Sequence, residues 1–250
     1  MPPIVAPMLE PLRRQVHQAT VRLHEDGLAD PYRGVLTAYD ERRRLALARP
    51  RGPAVDQLSP ERLLVVSGRT GQVVEGGAAP MPVVAAHDRI HDSFPGIGAV
   101  VSVDSRYATM WAQAGRPIPC FGAAHAELFA GPVPIAPRVG DEVPAENFFE
   151  AAAERVVELF AGEELDPAAV PGCLVHQWGG FVWGSSVEEA LRHATSLERI
   201  AERAHGTLLL NPAAGALSPA TVARHRQLVD RQDPTTASGR RRRPVETTGP

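Results

Sequence analysis

Two hairpin patterns follow one another in the first third of the chain, and they limit the fold more than any other feature. From Gly34 the sequence runs VLTAY, then DERRR, then LALA. Apolar runs on either side of a charged turn read as neighbouring strands. LLVVS and GQVVEGG, joined around GRTG, form a second pair. Consecutive pairs of this kind predict a mainly antiparallel sheet, which helices must then cover.

The helices are legible from their spacing. Between Met8 and Asp26, Leu12, Val16, Ala19 and Leu23 recur at helical intervals, and Gly27 fits the stop. AAHDRIHDSF reads as a helix stopped at Pro95 and Gly96, and RYATMWAQAG as one ended by Gly115. ENFFEAAAERVVELFAG is strongly amphipathic. SVEEALRHATSLERIAERAHGTLLL contains the longest helix, capped by Ser185 or Ser186, with Glu188 and Glu189 in its first turn. SPATVARHRQLVDRQ is a terminal helix. GAVVSVDS is a strand, IPCFG is short and extended, and HAELFAG leads into the strand VPIAP. CLVHQWGGFVWG reads as one strand with a glycine break. The expected organisation is one α/β domain over residues 8–230, after a loose leader. Residues 231–250 read as a disordered Arg-rich tail. Its Arg240–Arg243 run is a solvated stretch or a contact for an acidic partner.

Composition removes several function classes. The net charge of −3 offers no general basic field for nucleic acid or an anionic membrane. No apolar run reaches the ~20 residues that span a bilayer. The start, MPPIVAPMLEPLRRQV, lacks the basic-then-apolar pattern of a signal peptide, so the cytoplasm is the expected location. Lysine is absent; all 26 basic residues of the Lys+Arg total are arginine. A Schiff base with a carbonyl substrate, or with pyridoxal phosphate, needs a side-chain amine and is therefore excluded. Cys120 and Cys173 lie in apolar surroundings and read as buried free thiols.

The central segment carries a specific pattern: SFPGIGAVVSVDSRYATMWAQAGRPIPCFGAAHAELFAGPVPIAP. With LSPERLLVVSGRTGQVVEGG before it and PGCLVHQWGGFVWGSSVEEALRHATSLERIA after it, it resembles the class II aldolase and ribulose-phosphate epimerase family. The resemblance covers roughly residues 8–230, in ordered blocks. It implies α/β/α layers around a mixed, mostly antiparallel central sheet. It also implies a homotetramer with sites between subunits.

The resemblance also implies a zinc site that this sequence does not spell. In the family three imidazoles hold a zinc ion, which stabilises the enediolate of a keto sugar as a Lewis acid. Two come from one strand, at alternate positions that share a face. Here those positions hold Ser102 and Asp104, and the third holds Trp178. An indole N–H only donates and cannot ligate a metal. The family's phosphate loops also differ: Arg33-Gly34-Val35, Arg51-Gly52 and Met81-Pro82-Val83 stand in their places. Arg49 and Arg51 are left to receive an anion. Glu127 stands where epimerases have an aspartate implicated in proton transfer. His225 lies near a position that supplies a residue across the subunit boundary.

The expected catalytic set is thus Glu127, Asp104, Ser102 and His125, with no metal and no cofactor. Trp178, His176, Tyr107, Arg49, Arg51 and His225 are the expected substrate contacts. Such a set suits acid–base lysis, isomerisation, dehydration or cyclisation of a small, non-phosphorylated carbonyl compound. Specialised metabolism, such as antibiotic biosynthesis, is the expected setting. Two alternatives stay open. One is a non-catalytic binding or assembly protein on the same scaffold. The other is a rebuilt metal site of Asp104, His125 and His176.

Overall fold

The computed structural model describes the chain from residue 6 to residue 232, apart from residues 32, 43 and 69. The expected leader and Arg-rich tail lie largely outside these described residues. Both predicted hairpins form. β1 (Val35–Asp40) pairs with β2 (Leu45–Ala48), and β3 (Leu64–Ser67) pairs with β4 (Val73–Glu75). The sheet continues through β5 (Ala99–Val103), β6 (Ile135–Ala136), β7 (Gly172–Val175) and β8 (Gly179–Gly184), in the order β4-β3-β2-β1-β5-β8-β7-β6. Every pairing is antiparallel except that of β6 with β7. The mixed, mostly antiparallel sheet is as expected.

The register decides which residues meet. Val35 stands opposite Ser102, and Ser102 opposite Phe181. Directly opposed residues share a face, so these three side chains project together. Thr37, Val100 and Trp183 lie two residues away on the same face. α2 (Val84–Ser93) and α5 (Phe148–Gly162) cover that face. The rings of Phe94 and Phe160 pack 5.1 and 5.3 Å from that of Trp183. The other face is covered by α1 (Ala6–Glu25), α3 (Arg106–Gln113) and α6 (Val187–Leu210). α4 (Ala123–Leu128) and α7 (Pro219–Gln232) pack on each other, with α4 against α6.

The helix ends follow their local chemistry. α1 buries Val16, Ala19 and Leu23, and Gly27 beyond it adopts the left-handed region at φ +67°. The Ser186 side chain caps α6 by accepting the Glu189 amide.

Three local expectations need correction. CLVHQWGGFVWG is two strands, β7 and β8, joined by a tight turn at His176-Gln177-Trp178. Gln177 takes φ 65° there, which is a turn conformation. His176 and Trp178 are therefore turn neighbours and do not alternate along one strand. HAELFAG contributes to the short helix α4, and the strand expected over VPIAP is only two residues long.

Candidate active site

The site begins where β5 ends. Ser102 is buried, and its hydroxyl donates weakly to the Val35 carbonyl at 3.4 Å. Asp104 lies just past the strand. Its Oδ1 accepts the Asp30 amide at 3.0 Å, and its Oδ2 stands 4.0 Å from Arg33 Nε. The latter distance is a charge contact rather than a hydrogen bond. Next comes Ser105, whose hydroxyl donates to Glu198 of α6 at 2.6 Å. Glu198 also accepts the amides of Tyr107 and Ala108 at 2.8 and 2.9 Å. A carboxylate from α6 thus caps α3 from outside, where exposed amides and the helix dipole favour negative charge. This cap fixes the end of β5 and the place of Asp104.

A cleft of about 250 Å³ opens over Ser102 and Asp104. Trp178, from the β7–β8 turn, and Phe149, from the first turn of α5, form an aromatic wall. Their rings meet edge-on at 6.0 Å, and Trp178 also packs 4.7 Å from the Phe181 ring. Met81, Pro82 and Val83 form the side before α2. The exposed Arg33 and Arg51 complete the lining. Ser102, Asp104, Trp178 and Arg51 are therefore brought together. Arg33 and Phe149 were not anticipated as site residues. Arg33 left a faint trace, because it stands in the place of one of the family's phosphate loops. Phe149 left none, because it reads as an ordinary apolar position of an amphipathic helix.

The remaining expected residues lie elsewhere in the protomer. Arg49 is buried, and its guanidinium donates to the carbonyls of Pro31, Gly34 and Pro53 at 3.1, 3.0 and 2.6 Å. It ties two loops together and does not line the cleft. Tyr107 packs against His205 of α6 at 5.8 Å. His176 sits over Gly115, where an added Cβ would meet its Nε2 at 2.8 Å. His125 is buried beside a second cleft of about 510 Å³ between α4 and α6. Burial pushes its pKa down to about 4. Glu127 is exposed on α4, and His225 is half-buried on α7. Within one protomer Asp104, His125 and His176 are not grouped as the alternative metal set. Among the described residues, no three His, Cys, Asp or Glu side chains are grouped to hold a metal ion. Both cysteines are buried, and burial raises the Cys173 thiol to about 12, far from a reactive thiolate.

Behind the cleft, α2 buries a polar chain. His87 Nδ1 lies 3.0 Å from the Thr37 hydroxyl, which donates to the Tyr39 hydroxyl at 3.2 Å. The Tyr39 hydroxyl in turn donates to Asp88 at 3.0 Å. Burial pushes His87 down to about 3 and Asp88 up to about 6. His87 Nε2 is buried with no hydrogen-bond partner.

The chain matches the Class II Aldolase and Adducin N-terminal domain family over residues 14–205. It belongs to that family. It is 32% identical over 217 residues to the L-ribulose-5-phosphate 4-epimerase UlaF of Salmonella paratyphi C, covering 87% of this chain and 94% of the relative. Its fold is similar to that of an L-fuculose 1-phosphate aldolase, with a TM-score of 0.74, 17% identity, and coverage of 87% of this chain and 95% of the other. An aldolase II superfamily protein from Pseudomonas syringae is similar at a TM-score of 0.73 and 17% identity, over 94% of this chain and 91% of the other. Among the described residues, no helix of this class II aldolase family member is long and apolar enough to cross a membrane.

Proposed function

We propose that this chain is a lyase or isomerase that works by acid–base catalysis, without a zinc ion, on a small, flat, non-phosphorylated carbonyl compound. One observation carries this reading. Ser102, Asp104 and Trp178 share one cleft at the positions where the family's imidazoles are expected. A hydroxyl, a carboxylate and an indole do not fit a zinc held by three imidazoles. They do suit proton transfer beside an aromatic surface. The relatives' names, an epimerase and aldolases, support the reaction class.

In this reading Asp104 removes a proton next to the substrate carbonyl, and Ser102 turns its weakly held hydroxyl toward the oxygen that gains charge. Glu127, offered by a neighbouring subunit of a homotetramer because it does not line the cleft of its own protomer, donates a proton to the substrate, and exchange with solvent returns both carboxyl groups to their starting states. His225 reaches the same boundary. No cofactor is required for these steps. The test is turnover of a broad panel of carbonyl compounds by the purified protein. Asp104→Asn and Glu127→Gln should each lose activity while keeping the fold. A panel without any conversion, or full activity in both variants, would overturn the proposal.

A second reading is a non-catalytic binding protein, favoured by the loop at Met81-Pro82-Val83. Pro82 has no N–H to offer, and the Val84 and Ala85 amides already donate to the Met81 and Pro82 carbonyls at 3.0 and 3.3 Å. Detected conversion would exclude it.

A further inference from the structure

The charges around the cleft do not balance. Arg33 and Arg51 bring two cations, and Asp104 is the only carboxylate among the described lining residues. The formal sum of two positives and one negative is +1. Arg51 makes no ion pair to a described residue, and Arg33 only approaches Asp104 at 4.0 Å with its side chain 69% exposed. Both guanidinium groups therefore keep donors free.

The neutral part of the lining narrows the ligand further. Trp178 and Phe149 present ring surface, which favours a flat partner. Neutral donors are scarce. Ser102 is the only hydroxyl among the described lining residues, and it is buried. The loop before α2 has committed the amides of Val84 and Ala85 to its own turn. A phosphate monoester carries about −1.5 to −2 charges, more than the cleft's formal +1 balances. A carboxylate carries one charge and matches the planar fork of arginine.

We infer that the cleft binds a planar monoanion, an aromatic or conjugated carboxylate, with Arg33 and Arg51 clamping the carboxylate and Trp178 and Phe149 stacking on the plane. This rests on the cleft being the substrate site, as proposed above, and names the substrate class: a carbonyl compound that also carries a carboxylate. Arg33 and Arg51 are then the specificity-determining residues.

The test uses the full-length protein and three probes: benzoate, its neutral isostere benzamide, and phenyl phosphate. Binding is read by calorimetry and by the shift in melting temperature. Benzoate should bind and raise the melting temperature, whereas benzamide and phenyl phosphate should bind at least tenfold more weakly. Arg33→Gln and Arg51→Gln should each weaken benzoate binding about tenfold or more, as expected for loss of a charge-assisted bond. Both side chains are exposed, so the variants should melt as the parent does. Equal binding of benzamide, tighter binding of phenyl phosphate, or unchanged benzoate binding in the double variant would overturn the inference. Its failure is separable from that of the enzyme reading. Arginine-dependent benzoate binding without any turnover keeps the ligand class and removes the catalysis. Turnover of neutral carbonyl compounds by the double variant does the reverse.

Discussion

The Asp30 amide donates to Asp104 Oδ1 at 3.0 Å, so the cleft's carboxylate is held from the loop before β1 and not only from its own strand. An asparagine can accept the same bond. Asp104→Asn should therefore fold with a melting temperature close to the parent's. Its turnover should fall by about 10²–10⁴-fold if Asp104 moves the proton. Parallel melting curves and kcat measurements check both halves.

The cap on α3 gives a stability prediction. Glu198 receives the Ser105 hydroxyl and the Tyr107 and Ala108 amides. Glu198→Ala leaves all three without that partner and should destabilise by about 2–4 kcal/mol in urea unfolding. Glu198→Gln keeps an acceptor but loses the charge, so it should fall between the two.

Acid should unfold this protein through its buried imidazoles. His87 and His125 sit at about 3 and about 4, below the ordinary 6.5. The unfolded chain binds their protons first, so stability falls as the pH drops below 6.5 and continues to fall towards 4. Asp88, raised from 3.8 to about 6, acts in the opposite sense between those values, because the folded state binds its proton first. His91 and His193, which burial also lowers, add to the fall, so the losses outweigh the one gain and the folding constant drops as the pH falls from 6 to 4. His87→Gln should flatten that slope in urea melts at pH 7, 6 and 5. An unchanged slope would remove His87 from the account.

A site shared between subunits predicts complementation. Asp104→Asn damages the cleft, and Glu127→Gln damages the group offered to a neighbour. Unfolding and refolding the two inactive variants together should restore part of the activity, because some mixed interfaces pair an intact Asp104 with an intact Glu127. Mixtures that stay as inactive as their parents would show that Glu127 does not complete a neighbour's site.

The limits of the sequence reading have physical causes. The two hairpins and the long helices were legible because period and turn chemistry agree there. The β7–β8 turn was hidden because Gln177 takes a positive φ where Gly or Asn would have announced it. The cleft's polar centre was legible because the family resemblance puts Ser102 and Asp104 at two of the imidazole positions. Its rim was not. Arg49 and Arg51 look alike in the sequence, yet one is buried on three carbonyls and the other is exposed. Only the path of the loop decides that. His125 and Glu127 could not be assigned to the cleft of one protomer, because α4 packs on α6 and α7 and gives that cleft no lining residue.

Arg49 acts on the cleft without lining it. Its guanidinium joins the loop at Pro31 and Gly34 to the loop at Pro53, and each loop carries one of the cleft's free arginines. Arg33 and Arg51 are thus the two jaws of a pincer whose hinge is locked. A ligand that enters has only two side chains to immobilise, not two loops, so little of its binding energy is lost to ordering.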